Sequence, residues 1–188
     1  LMKEFQKAPY NVFKQGRIHF LNEFIDSGLV KNNVANVRAY LDWLESYKPS
    51  FAIYAGSFNL FHIGHYDILK KVESIFDKVI LAVGINAEKA SQMQEIDYKE
   101  IINNFPVQVQ NREIAFFDCF LTEFASMKAS EGVEITLVKG IRNANDLSYE
   151  NELLRYMEDQ DPNIKIVYIP ADRKYTHVSS RFVKELEK

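Results

Sequence analysis

Apolar residues in the first fifty positions recur at helical spacing. In FLNEFIDSGL, Phe20, Leu21, Phe24 and Ile25 fall on that period, and Ser27-Gly28 marks a stop. In VANVRAYLDWLESY, Val34, Val37, Leu41 and Leu44 line one face with Tyr40 beside them; Asn33 stands where a cap belongs and Pro49 follows the end. No strand-like run interrupts them. Residues 1–50 therefore read as a helical extension, a hairpin or small lobe without a chemical signature, suited to packing against the rest of the chain or a partner.

From residue 51 the pattern changes. FAIYA (51–55) is a short apolar strand, and HYDILKKVESIF (65–76) has Ile68, Leu69, Val72, Ile75 and Phe76 at helical spacing. DKVILAVGI (77–85) is a continuous apolar run of the kind a parallel strand buried on both faces needs. The spacing predicts helices over 98–105, 118–130, 146–160 and 178–188, and strands over 133–140 and 163–171, with a further strand within VQVQNREIAFF. Strands that alternate with helices imply a layered α/β domain over 51–188 with a mainly parallel sheet. Such sheets place their sites at the carboxyl ends of strands. Four loops, after 55, 85, 138 and 170, can then converge on one crevice. There is no internal repeat, low-complexity tract or flexible linker.

Composition narrows the function. With 23 basic and 26 acidic residues among 188, the net charge of -3 offers neither a nucleic-acid surface nor a polybasic membrane patch. The single cysteine, Cys119, rules out a disulfide within the chain, leaves a thiolate metal site unsupported, and reads as a small buried hydrophobe. No apolar stretch is long enough to span a bilayer, and LMKEFQKAPY lacks a signal-peptide core, so a cytoplasmic location is expected.

The chemistry concentrates in GSFNLFHIGHYDIL. Gly56 permits a sharp turn at the strand end, Ser57 offers a hydroxyl and an N–H, and Gly64 allows close approach of His65 to whatever sits over the loop. His62 and His65 fall at the start of a helix, where exposed N–H groups favour an anion. This is a phosphate-binding turn without the lysine-bearing Walker pattern.

HIGH, preceded by a strand and GSF, resembles the signature of the nucleotidyltransferase superfamily that shares its fold with class I aminoacyl-tRNA synthetases. Within it, the resemblance is closest to the phosphopantetheine adenylyltransferase family and runs from about 51 to 187. VKGIRNANDLSYENEL (138–153) is similar to that family's glycine-arginine motif and its acidic-tyrosine-glutamate helix; VSSRFVKEL is similar to its serine-rich segment. The resemblance implies a Rossmann-like fold of the HxGH nucleotidyltransferase type. It also implies direct transfer of an adenylyl group from ATP to 4'-phosphopantetheine, giving dephospho-coenzyme A and pyrophosphate without a protein nucleophile.

By the same resemblance, His65, Lys89 and Arg142 are the catalytic candidates. Ser57, Lys89 and Lys139 would hold the acceptor phosphate. Gly56, Ser57, Phe58, His62, His65, Gly140, Arg142, Glu150, Ser179 and Ser180 would bind ATP. Ser179 and Ser180 also suit a helix N-terminus that holds phosphates. No protein-supplied metal cage is expected: Asp118 and Asp146 have no cage-forming spacing, so Mg²⁺ would be held mainly by nucleotide phosphates and water. The expected partners are ATP and a small phosphorylated acceptor, with no nucleic acid or membrane. A homo-oligomer is compatible with the family, whose hexamers the extra lobe could preserve, block or replace.

The chain departs from the family pattern at Asn59-Leu60, in ASQMQEIDYKE after Lys89, at Tyr156-Met157 and at Arg181. Lys139 stands where arginine is usual, which loses a bidentate fork. These losses gather on the acceptor side. They keep two further readings in view: a nucleotidyltransferase using ATP or CTP on another phosphorylated acceptor, and a low-turnover nucleotide-binding or scaffold protein. Two bland readings also stand at this level: Arg142 pairing with Asp146 or Glu150, and Tyr149 as a packing residue.

Overall fold

A computed structural model describes residues 10–29, 33–58, 60–85 and 98–179. The chain divides into two compact units, one of residues 1–49 with 128–134 and one of residues 50–127 with 135–188.

In the first unit, α1 (Tyr10–Asp26) and α2 (Val34–Ser46) form an antiparallel pair, and Lys14 Nζ donates to the carbonyls of Glu45 and Tyr47 at 2.6 and 3.1 Å. Leu41 and Leu44 are buried. The helical spacing of Phe20, Leu21, Phe24 and Ile25 is borne out, with Phe20 and Phe24 stacked on each other in solvent and Leu21 and Ile25 half-buried. Period alone cannot tell two adjacent apolar stripes apart. Asn33 occupies the cap position, but its side chain makes no capping hydrogen bond.

The second unit is built on five strands: β1 (Ser50–Gly56), β2 (Lys78–Gly84), β3 (Glu113–Phe117), β4 (Glu134–Ile141) and β5 (Ile166–Pro170). They lie in the order β3-β2-β1-β4-β5, and the pairs β1–β2, β2–β3 and β4–β5 are parallel. The register sets Ile53 against Ile80, Leu81 against Ile114 and Val138 against Val167. Parallel neighbours need crossovers, and the helices supply them: α3 (Ile63–Glu73), the short α4 (Tyr98–Asn103) and α5 (Val107–Gln110), α6 (Leu121–Ala129) and α7 (Ala144–Gln160). A 3-10 turn (Arg173–Tyr175) follows β5. The fold is thus the α/β Rossmann-like type expected.

The apolar runs read as buried strands because both sheet faces are covered. Ala52, Tyr54, Leu81, Val83 and Val138 pack on one face with Ile68, Leu69 and Val72 of α3. Ile53, Ile80, Ala82 and Leu137 pack on the other with Phe124 and Ala125 of α6 and Met157 of α7. Strand side chains alternate between faces, so each strand feeds both clusters. Cys119 is half-buried at the edge of the second cluster. Ile75 lies beyond the end of α3 and is exposed, and the N-terminal part of VQVQNREIAFF is helical before β3 begins.

The strand order places a topological switch point between β1 and β4. Chain leaving β1 goes to β2 on one side, and chain leaving β4 goes to β5 on the other. The two exits therefore diverge and leave a crevice at their carboxyl ends.

Candidate functional site

Two of the four loops meet at this switch point. Gly56 ends β1, and Phe58 then takes a left-handed backbone conformation, φ +43°, unusual for a bulky residue. Its ring folds back over Gly56, where a Cβ would stand 3.1 Å from the ring. It also meets Tyr54, Phe61, His65 and Phe105, with ring centroids 5.3 to 6.0 Å apart. This buried aromatic cluster offsets the strained turn and presents Ser57 to solvent.

His62 and His65 sit at the N-terminus of α3. His62 is its cap residue and His65 lies in its first turn. Their rings stack with centroids 3.7 Å apart, and the His62 backbone N–H donates to His65 Nδ1 at 3.3 Å. Gly64 lets the His62 ring lie close, since a Cβ there would stand 3.1 Å from it. Burial among Phe58 and Phe61 lowers the His65 pKa to about 3, with smaller contributions from His62 and Arg142. Burial also lowers the His62 pKa, followed by the charge of Arg142. A neutral His65 whose Nδ1 accepts must carry its proton on Nε2. The imidazole is thus a fixed hydrogen-bond donor at the mouth of a helix, and it brings no net charge. Nδ1 of His62 is buried without a hydrogen-bond partner among the described residues.

Arg142 leaves the end of β4 and forks onto Asp146 of α7, Nε to Oδ2 at 2.8 Å and Nη2 to Oδ1 at 3.0 Å. Its Nη1 donates to the Val178 carbonyl at 3.4 Å, next to Ser179. The charge of Arg142 reaches both imidazoles and the buried Tyr54, whose phenol burial pushes upward. The loop after β5 is tied to the same region. Lys71 of α3 pairs with Asp67 and Asp172 at 3.0 and 2.6 Å and donates to the Pro170 carbonyl at 2.8 Å. The Asp172 N–H donates to Asp67 at 3.0 Å. Gly56, Ser57, Phe58, His62, His65 and Arg142 therefore come together around the β1 and β4 exits, with the segment 172–179 alongside.

Lys139 and Glu150 lie apart from this group. Strand alternation turns Lys139 to the face covered by α7, where its Nζ stands 3.2 Å from Glu150 Oε2. That contact is not aligned as a hydrogen bond, and the carboxylate oxygen is buried without one. Gly140 turns to the opposite face and meets α3, where a Cβ would stand 3.1 Å from Ile68 Cγ1. Tyr149 is not a packing residue, being exposed. Lys89 and Ser180 lie outside the described residues, as does the helix expected over 178–188.

Sequence reading missed three participants. Phe105 and Phe61 close the aromatic cluster around His65, and Lys71 anchors the β5 loop. An aromatic or a lysine in a helical pattern carries no local mark of such a role. Among the described residues no three His, Cys, Asp or Glu side chains gather as a metal site, and no helix is long and apolar enough to cross a membrane.

The description cytidylyltransferase-like belongs to a family model that matches residues 53–186. A phosphopantetheine adenylyltransferase of Vesicomyosocius okutanii is 30% identical over 135 residues, covering 72% of this chain and 83% of that protein. One from Caldanaerobacter subterraneus is 30% identical over the same length, covering 82% of that protein. One from Clostridium botulinum is 32% identical, covering 80% of that protein.

Proposed function

The chain belongs to the cytidylyltransferase-like family, and from that membership and its relatives we propose that it transfers the adenylyl group of ATP to 4'-phosphopantetheine. The products are dephospho-coenzyme A and pyrophosphate. One geometric observation carries the chemistry: a neutral imidazole donor, a helix N-terminus and a guanidinium share the crevice between the β1 and β4 exits. Such a set of donors and cations suits a polyphosphate.

An oxygen of the acceptor phosphate attacks the α-phosphorus of ATP in line. The new P–O bond forms as the bond to the β-phosphate oxygen breaks, and pyrophosphate carries that electron pair away. Negative charge grows on the α-phosphate oxygens and on the leaving group, so catalysis is positioning and charge stabilisation. In this reading His65 Nε2–H donates to the phosphate oxygens where charge grows, and Arg142 neutralises the leaving group. Ser57 and Lys89 receive the acceptor phosphate; Lys139, the third residue of the expected set, joins them only by leaving Glu150. Gly56, Phe58, His62, Ser179 and Ser180 line the nucleotide side, while Gly140 lets α3 approach the sheet and Glu150 holds Lys139 on the α7 face. Mg²⁺ would be held mainly by nucleotide phosphate oxygens and water, and would supply further charge neutralisation.

The test is pyrophosphate release with ATP or CTP against a panel of phosphorylated acceptors. Turnover with ATP and phosphopantetheine is expected. Turnover only with CTP or another acceptor moves the chain to a different reaction of the family. Tight ATP binding with no pyrophosphate from any pair makes it a nucleotide-binding protein instead.

A further inference from the structure

Asp146 does more than begin a helix. Its own N–H donates to the Asn143 cap side chain at 3.0 Å, which is ordinary first-turn behaviour. Its carboxylate, however, is given wholly to one residue. Oδ2 accepts from Arg142 Nε at 2.8 Å and from the Arg142 backbone N–H at 3.0 Å, while Oδ1 accepts from Nη2 at 3.0 Å. Arg142 precedes the cap residue and is outside α7, so although the pair is partly exposed it is not an i,i+4 pair along one helix face. It is a reciprocal capping arrangement that reaches one residue further back and grips a guanidinium as well.

The geometry has a consequence for the cation. An arginine at a strand exit has several rotamers, and its fork is useful only in one orientation. Two parallel charge-assisted bonds and one backbone bond fix the guanidinium plane. Nη1, which the carboxylate does not take, faces the Val178 carbonyl at 3.4 Å on the segment leading to Ser179. The grip keeps Arg142 within electrostatic reach of both histidines.

We propose that Asp146 is a positioning residue: it holds the Arg142 guanidinium across the crevice, from the β4 exit to the segment before Ser179, in the orientation in which it meets the departing pyrophosphate. The inference rests on the role given to Arg142 above. Asp146 touches no substrate and acts through the arginine. Preorganisation of this kind lowers the cost of ordering the cation when charge develops.

The experiment compares Asp146→Asn, Asp146→Glu, Arg142→Lys, Arg142→Ala and the Asp146→Asn/Arg142→Lys pair in the full chain. It measures pyrophosphate release, KM for ATP and Tm. Asn keeps the size of Asp and leaves the backbone cap bond intact, so the fold is retained. Asp146→Asn is expected to lower kcat about tenfold or more, with KM for ATP changed less than about threefold and Tm little altered. Asp146→Glu recovers part of the loss, and the pair loses no more than Arg142→Lys alone. Losses that add in the pair, or that follow Tm, overturn the inference. So does kcat within about twofold of the parent in Asp146→Asn while Arg142→Ala abolishes turnover; that result leaves the arginine's own role standing. Intact turnover in Arg142→Ala removes that role and this inference together. A parent chain that releases no pyrophosphate refutes the underlying reaction before any variant is made.

Discussion

Replacing His65 by glutamine should flatten the stability of the protein against acid. His65 is held neutral, with a folded pKa of about 3 against 6.5 when unfolded. Below pH 6.5 the unfolded chain takes up a proton that the folded chain refuses, so stability falls as pH falls. The penalty is absent above that pH, grows by about 1.4 kcal/mol per unit below it, and stops growing near the folded value. Between pH 7.5 and 5.0 it amounts to about 2 kcal/mol from this residue alone. Glutamine is the informative substitute, because its side-chain oxygen can still accept the His62 N–H at the same helical position. Urea unfolding of parent and variant at both pH values gives the difference directly. His62, also lowered, leaves a residual slope of the same sign in both proteins. Carboxylates held below their usual range, such as Asp146 and Glu73, act at lower pH and cancel in the comparison. Parent and variant that track each other within about 0.5 kcal/mol would refute the reasoning, since one protonation then differs between them by less than half a pH unit.

The same neutrality bears on turnover. A donor that stays uncharged down to about pH 3 contributes no acid limb near 6.5 to kcat, so a limb there that disappears in a His65 variant would contradict the Nε2–H role. Gly140→Ala should lower stability by about 1–3 kcal/mol, measured as Cm at constant m, because its Cβ meets Ile68 of α3 at 3.1 Å. Trimming Ile68 to alanine in that background should add less loss than the same trim in the parent; purely additive losses would mean that the contact is not the cause.

Much of the domain was legible along the chain. The apolar run at 51–55 reads as a strand and the one at 77–85 suits a strand buried on both faces, and the helical periods between them supply crossovers. The turn GSFNLFHIGH stands out in the sequence because its glycines, serine and histidines serve local backbone needs, and local needs leave local marks. The short helix 107–110 and the exposed Phe20 and Ile75 were not legible, since an apolar residue at the right period fits a buried stripe or a neighbouring exposed one equally well.

Other properties exist only once distant segments meet. Ile68 shows what Gly140 is for, seventy-two positions earlier in the chain. Lys139 and Gly140 are neighbours in sequence, yet strand alternation sends one to Glu150 and the other to α3. Arg142 became a fixed fork because Asp146 turned back to it from the first turn of a helix. His65 became a neutral donor because Phe58 and Phe61 removed water from one side of its ring while Arg142 and His62 opposed its charge. A residue's type and spacing determine which backbone it favours. Its dielectric surroundings and its partners are sums over atoms far away in sequence, and only the packed chain evaluates them.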